Sequence, residues 1–144
     1  MGRMTDHLFV YGTLRAESGH PMARRLRVGA KLLGRGSAPG CLYDFGDHPG
    51  AVLALDEKYR VKGDVFRLGP NSRVLTDLDK YEGATGDEDA DEAFRRIVIE
   101  VTLDSGETVE ASTYALKEAP RARLIGTGDF IADRRIRKPH AARP

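Results

Sequence analysis

One glutamate in this sequence falls where an amphipathic helix would not be expected to carry a charge. Residues 70–82 have helical periodicity, with Pro70 suited to a first turn and Gly83 to a C-terminal stop. At about 100° per residue, Glu82 falls inside the apolar stripe of this helix, which is formed by Val74, Leu75, Leu78 and Tyr81. A carboxylate buried without a partner responds with a raised pKa. Because a general acid/base needs a pKa near neutrality, Glu82 is a candidate for proton transfer.

The pattern alone also allows Glu82 a place at the surface, and slightly favours it. In the last turn a helix frays, so the side chain could swing out to water or pair with an arginine. Against this, the negative end of the helix dipole disfavours a carboxylate at that position. The charges expected to face solvent on the same helix are those of Arg73, Asp77, Asp79 and Lys80.

A second candidate for chemistry is the segment Tyr11-Gly12-Thr13-Leu14, which follows the first strand-like run. A glycine at a strand end lets the backbone approach a ligand closely, and we expect a side chain at Gly12 to block that approach. Successive N–H groups in such a turn could bind a carboxylate. A plain turn is the simpler interpretation of a single glycine after a strand.

The elements that must position these residues are mostly short strands. Residues 94–116 give the strongest pattern, a hairpin whose three-residue loop, residues 104–106, pairs Val101 with Val109 and places Gly106 in the left-handed conformation. Other strand-like runs are residues 7–11, 30–43, 51–55 and 59–68, and a short helix is expected over 21–27. Many short strands with one good helix predict an α+β fold, a small barrel or strongly curved sheet with a helix packed against it.

Composition limits the classes of protein to which the chain can belong. The 144 residues suit one domain, and 23 basic against 22 acidic residues give no overall field to attract nucleic acid or an anionic membrane. The sequence has no apolar run of membrane-spanning length and no signal peptide, so we expect a soluble cytoplasmic protein. The single cysteine, Cys41, excludes an internal disulfide, and four scattered histidines predict no metal site.

We expect a core within about residues 7–116 and a basic extension over 121–144 whose last seven residues fray.

Taken in order, the motifs resemble the γ-glutamylcyclotransferase-like family. The match spans about residues 7–116, and its most specific parts are the Tyr-Gly-Thr-Leu opening and the Leu-Asp-x-x-Glu-Gly end of the helix. The segments that carry it are residues 9–15, 39–51, 61–66, 78–83, 94–96 and 111–114. His48 stands where an aromatic residue is common in the family.

The resemblance implies a small mixed β-barrel with flanking helices that cyclises a γ-glutamyl amide to 5-oxoproline and releases an amine. The substrate's own α-amine is then the nucleophile, so neither a cofactor nor a metal is required. Glu82 matches the family's catalytic glutamate, and Tyr11, Gly12, Thr13 and Leu14 match its substrate loop. Tyr114 could line the cavity, although a strand tyrosine usually serves packing. With the resemblance added, the catalytic interpretation of Glu82 is favoured.

Two other functions remain as alternatives. The first is a non-catalytic module that binds a small molecule or a protein on the same barrel. The second, RNA binding through Arg134, Arg135, Arg137 and Lys138, is disfavoured because Phe130 is the only aromatic residue near this basic patch. The identity of the leaving amine and the oligomeric state are left open by the sequence.

The acidic segment at residues 86–92 generates a prediction of its own. Five acids in seven residues repel one another and have nothing to bury, so we expect an exposed, mobile loop. Limited proteolysis should cleave there first and leave the barrel intact. Slow hydrogen exchange throughout this segment would contradict the prediction.

Overall fold

The fold is known from a computed structural model that describes most of the chain. It describes residues 6–12, 14–15, 21–46, 48–54, 58–69, 73–84, 86 and 92–141, with the backbone only for Met22, Arg25, Arg27 and residues 137–141. The elements in chain order are β1 (His7–Val10), α1 (Pro21–Gly29), β2 (Ala30–Asp44), β3 (Pro49–Leu53), β4 (Arg60–Leu68), α2 (Val74–Glu82), β5 (Phe94–Leu103), β6 (Thr108–Leu116), β7 (Arg123–Leu124) and α3 (Phe130–Ala141). Pro70, expected to begin the central helix, lies outside the described residues, as do residues 87–91 of the acidic segment.

Five strands close into a barrel. The pairing runs β2-β4-β1-β6-β5, and β5 returns to β2, where Gly36 lies opposite Leu103. The β1–β6 pair is parallel and the other pairs of the ring are antiparallel. Two further strands, β3 and β7, pair with the far end of β2. This arrangement confirms the predicted α+β class and the small mixed barrel with flanking helices.

The hairpin of β5 and β6 has the predicted register. Val101 lies opposite Val109 and Ile99 opposite Ala111. The loop closes with a hydrogen bond from the Leu103 N–H to the Glu107 C=O at 2.7 Å, and Gly106 has a φ of 97°. The left-handed residue and the alternation of apolar side chains therefore agree on one pairing.

Alternation along β1 separates two apolar cores. Phe9 belongs to the cluster inside the barrel, together with Val61, Val65 and Val101. Leu8 and Val10 point the other way and join the cluster beneath the helices, which is completed by Leu14, Leu26, Phe66, Leu68, Val74, Leu78, Ala84 and Tyr114. Because neighbouring side chains of a strand face opposite sides, one short strand contributes to both cores.

The core extends beyond residue 116, the limit expected from the sequence. Ile125, directly after β7, is 1% exposed and Phe130, at the start of α3, is 5% exposed, and both belong to the inner cluster. The helix α3 continues to Ala141, whereas the sequence analysis expected fraying from Lys138. Phe130, buried in the inner cluster, anchors the start of this helix.

A buried ion pair joins the segment after β1 to this C-terminal part. Arg15 is 2% exposed, and its Nη1 lies 2.8 Å from Oδ1 of Asp129. The same Asp129 oxygen accepts the Ala132 N–H at 3.0 Å and so caps α3. Burial works against the charge, but the Ala132 N–H and the Arg15 guanidinium hold the pKa of Asp129 below its usual value.

Breaking this ion pair should destabilise the fold. We expect Asp129→Asn to lower the free energy of unfolding by about 2 kcal/mol, because it removes the charged hydrogen-bond partner of the buried Arg15 and leaves the more distant Asp64 carboxylate, 3.7 Å from Arg15 Nε, as the counter-charge. Asparagine caps a helix as well as aspartate, so the loss reports the ion pair and not the cap. Chemical denaturation measures it. Asp104→Asn, in the exposed hairpin loop, is the matched control and should stay within about 0.5 kcal/mol. Equal effects of the two substitutions would contradict the prediction.

Candidate functional site

A cavity of about 420 Å³ opens where α2, the end of β1 and the strands β3, β5 and β6 meet. It lies within the range of volumes usual for small-molecule sites. Its wall consists of Phe9, Val10, Tyr11, Gly12, Leu14, His48, Pro49, Tyr81, Glu82, Phe94, Thr113 and Tyr114. The fold thus brings Glu82 from α2, Tyr114 from β6 and three residues of the segment 11–14 to one cavity, and the fourth, Thr13, lies outside the described residues.

Glu82 lies on the same line of α2 as its buried residues and is itself half-buried. Val74 and Leu78 are the buried residues of this helix, and Glu82 follows at the same spacing of four. Tyr81, which the sequence analysis placed in the apolar stripe, is 41% exposed at the cavity mouth, one residue off that line. Burial raises the pKa of Glu82 to about 7, although a nearby His48 acts in the opposite direction.

The helix ends directly after Glu82, and this end is fixed by the backbone. Gly83 adopts the left-handed conformation with φ 66° and ψ 43°. The Ala84 N–H bonds to the Asp79 C=O at 2.8 Å and the Gly83 N–H to the Lys80 C=O at 3.3 Å, which together form a Schellman cap. The predicted glycine stop is confirmed, and it holds the last turn in place beneath the carboxylate.

Tyr11 ties two walls of the cavity together. Its hydroxyl donates a hydrogen bond to the C=O of Tyr114 on β6 and accepts one from the N–H of Ala51 on β3 at 3.2 Å. Burial and the charge of Glu82 both raise the pKa of the Tyr11 phenol, and both residues line the cavity. The Tyr11 side chain therefore links β3 to β6 and also lines the cavity.

Gly12 is required by packing as well as by its place at the cavity. A Cβ built on Gly12 would lie 2.6 Å from Cγ of Pro49, too close for any real contact. The chain then turns, with the Arg15 N–H bonded to the Gly12 C=O at 3.1 Å. A side chain at this position would displace Pro49, another lining residue, as well as hinder a ligand.

Sequence reasoning missed Asp79, which was expected to face solvent. Its Oδ1 accepts a hydrogen bond from the Tyr114 hydroxyl at 2.7 Å, and its Oδ2 lies 3.4 Å from Nη1 of Arg96. The Leu75 C=O is a second acceptor for the same hydroxyl at 3.4 Å. Burial, Asp79 and the more distant Glu82 all raise the pKa of the Tyr114 phenol. Asp79 precedes Glu82 by three residues, a spacing that puts both on neighbouring parts of a helix surface.

His48 was interpreted from sequence as a surface or packing residue, and it lies at the cavity mouth. Its ring stacks on Phe45 with centroids 5.3 Å apart and 11° between planes, and it tilts against Phe94 at 6.4 Å. The aromatic residue common at this position in the family was the signal that could have identified it. The mouth of the cavity is therefore aromatic on the β3 and β5 side.

The basic residues of the RNA-binding alternative lie on α3. The Arg134 guanidinium lies 4.8 Å from the centroid of the Phe130 ring. Arg135 is exposed, and the side chains of Arg137 and Lys138 lie outside the described residues. Neither Arg134 nor Arg135 lines the cavity.

The described residues form neither a cluster of potential metal ligands nor a membrane-spanning helix. Within those residues, no group of three or more His, Cys, Asp and Glu side chains is arranged to hold a metal ion. In the same part of the chain, none of the helices combines the length and apolar character needed to cross a membrane.

Comparisons with known proteins agree with this architecture. The solved structures similar to this chain include an uncharacterised protein of Pyrococcus horikoshii, with 25% identity, a TM-score of 0.65 and coverage of 96% of this chain and 100% of that one. An AIG2-like protein of Mus musculus shares 21% identity with a TM-score of 0.67 and 89% coverage of both chains. A structure titled gamma-glutamyl cyclotransferase shares 14% identity, with a TM-score of 0.57 and coverage of 82% of this chain and 70% of that one.

No curated protein matches the sequence. A family model does match, over residues 8–132, and its description is "Gamma-glutamyl cyclotransferase, AIG2-like". This span includes the barrel, α2, the cavity residues and the Arg15–Asp129 pair. The chain belongs to the AIG2-like family of gamma-glutamyl cyclotransferases.

Proposed function

We propose that this protein cyclises a γ-glutamyl amide to 5-oxoproline and releases an amine, with Glu82 as the general acid/base. The observation that carries the proposal is a carboxyl group in a cavity of about 420 Å³ with a pKa of about 7. Such a group is ionised and protonated in comparable amounts near neutral pH, so it can both take and return a proton. Membership of the cyclotransferase family supports this reaction.

The proposed reaction needs one proton carrier. The Glu82 carboxylate takes a proton from the substrate's α-ammonium group, and the freed amine attacks the γ-carbonyl carbon. The new C–N bond closes a five-membered ring. The bond to the leaving nitrogen then breaks as the Glu82 carboxyl delivers its proton there. The ring nitrogen, which still carries one proton too many, gives that proton to the Glu82 carboxylate, which passes it to the departing amine, so that the amine leaves as an ammonium ion and Glu82 is ready for the next turnover. Holding the substrate folded for ring closure is the cavity's other contribution.

We assign anion binding to the backbone of the segment after β1. Gly12 and Leu14 line the cavity, and N–H groups in a turn can hold the substrate's α-carboxylate or the oxyanion formed during attack. Thr13 is proposed as part of the same loop. We further propose that the whole chain acts as one domain in the cytoplasm, on small γ-glutamyl compounds.

A panel of γ-glutamyl compounds tests the reaction and identifies the leaving amine. The panel should contain a free amino acid, a small peptide, a side-chain amine and a small metabolite amine as leaving groups, and 5-oxoproline release is the readout. Thermal stabilisation by these compounds without any release would favour the binding-module alternative instead.

Glu82→Gln should abolish most turnover while leaving the ligand bound. The amide keeps the size of the side chain and removes its proton-carrying role, so we expect kcat to fall by about 10² or more. Steady-state kinetics measure kcat, and ligand-induced thermal shift measures binding. Glu118→Gln, at an exposed position after β6, is the control and should retain wild-type kcat. A folded Glu82→Gln protein with nearly normal turnover would remove Glu82 from the mechanism.

The pH dependence of stability tests the environment of Glu82 independently of turnover. Its pKa is about 7 in the folded protein against 4.5 ordinarily, so ionisation costs the folded state more than the unfolded state. The wild type should therefore lose stability relative to Glu82→Gln as pH rises from about 4.5 to about 7, by at most about 3 kcal/mol. Thermal unfolding of both proteins at about pH 5 and about pH 8 measures the change. If the melting temperatures of the wild type and Glu82→Gln differ by the same amount at both pH values, the burial of this carboxyl is contradicted.

A further inference from the structure

Four described residues that line the cavity carry a hydroxyl group, and three of them, Tyr11, Thr113 and Tyr114, donate its hydrogen to a protein acceptor, whereas Tyr81 lies at the exposed mouth. Tyr11 donates to the C=O of Tyr114 and Thr113 donates to the C=O of Phe9 at 2.9 Å. Tyr114 donates to Asp79. A hydroxyl has one hydrogen and two lone pairs. These groups can therefore offer the cavity lone pairs and no hydrogen.

Acceptor groups on α2 determine the direction in which the Tyr114 hydroxyl hydrogen points. Its two neighbours there are the Asp79 carboxylate at 2.7 Å and the Leu75 C=O at 3.4 Å, and both groups only accept. Arg96, at 3.4 Å, supplies the positive charge that accompanies the Asp79 carboxylate. With two acceptors on the α2 side, the hydrogen stays there, and what the Tyr114 oxygen can offer a ligand in the cavity is its lone pairs.

Tyr114 and Glu82 act on the same region of the cavity. Both line it, and the charge of Glu82 is felt by the Tyr114 phenol. A carboxylate and an acceptor-only oxygen together form a wall suited to a group with several N–H donors and a positive charge. This polarity is opposite to that of the backbone N–H groups to which we assign anion binding.

We propose that Tyr114 accepts a hydrogen bond from the ligand's primary ammonium group, and that Asp79 is the positioning residue that makes Tyr114 an acceptor. Identifying this group as the α-ammonium of a γ-glutamyl compound rests on the proposed function. In that reaction one N–H of the ammonium points to Tyr114 while another gives its proton to Glu82. The attacking nitrogen is thereby held in a fixed orientation before its lone pair is freed.

Two ligands that differ only by this group test the proposal. L-glutamine carries the α-ammonium and glutaramate has hydrogen in its place. Calorimetry or ligand-detected NMR gives the Kd of each with the wild type, Tyr114→Phe and Asp79→Asn. The control is Asp77→Asn, which removes a carboxylate from the same helix at a position that does not line the cavity.

We expect the wild type to bind L-glutamine at least about tenfold more tightly than glutaramate, the value of one hydrogen bond to a charged group. Tyr114→Phe and Asp79→Asn should each reduce this ratio by about tenfold while the Kd of glutaramate changes less than about twofold. Asp77→Asn should keep the wild-type ratio. If Asp79 had a merely structural role, Asp79→Asn would raise the Kd of both ligands by the same factor, and that result would overturn the proposal.

The proposal is also overturned if the wild type binds both ligands equally or binds neither. If Tyr114→Phe fails to fold, Asp79→Asn decides alone. Turnover is measured separately on the γ-glutamyl panel. A wild type that prefers L-glutamine and releases no 5-oxoproline would refute cyclisation and leave ammonium recognition standing. If the wild type releases 5-oxoproline and both substitutions keep the wild-type ratio of the two Kd values, only the roles of Tyr114 and Asp79 are refuted.

Discussion

The pairing of β1 between β4 and β6 is the constraint on which both the barrel and the cavity depend. This four-residue strand is antiparallel to one neighbour and parallel to the other, and without it the ring of strands is open. Its alternation sends Phe9 into the barrel and Leu8 and Val10 beneath the helices. Because Tyr11 comes next in the chain, its hydroxyl reaches backbone groups of both β3 and β6. Closing the barrel thus also sets the distance between two walls of the cavity.

The segment that leaves β1 is held at both ends by different interactions. At Tyr11 the restraint is a pair of hydrogen bonds to backbone, and at Arg15 it is a buried ion pair with Asp129. The segment between them contains the backbone groups to which we assign anion binding. Fixed dipoles stabilise charge without reorganising during a reaction, so restraint at both ends suits that role. The C-terminal part of the chain contributes to the site through Asp129 although it does not line the cavity.

Local patterns were sufficient to predict some features and insufficient for others. The hairpin register follows from Gly106 and from alternating side chains within a few residues of it, and the end of α2 follows from Gly83. Asp79 and Tyr114 are 35 residues apart, so no local pattern shows that they are hydrogen-bonded. Likewise Ile125 and Phe130 lie in short apolar runs, Leu124-Ile125 and Phe130-Ile131-Ala132, within a basic stretch, and the three-dimensional fold is what shows that the inner core includes them.

Two acidic residues three positions apart on α2, Asp79 and Glu82, lie in different surroundings. Asp79 has a hydroxyl donor at 2.7 Å and a guanidinium at 3.4 Å, interactions that favour a carboxylate fixed as an acceptor. Burial raises the pKa of Glu82 to about 7, which suits a group that must exchange a proton near neutrality. Because Asp79 lies behind Tyr114 and Glu82 lines the cavity, a single helix supplies both the orienting group and the proton carrier of the proposed reaction.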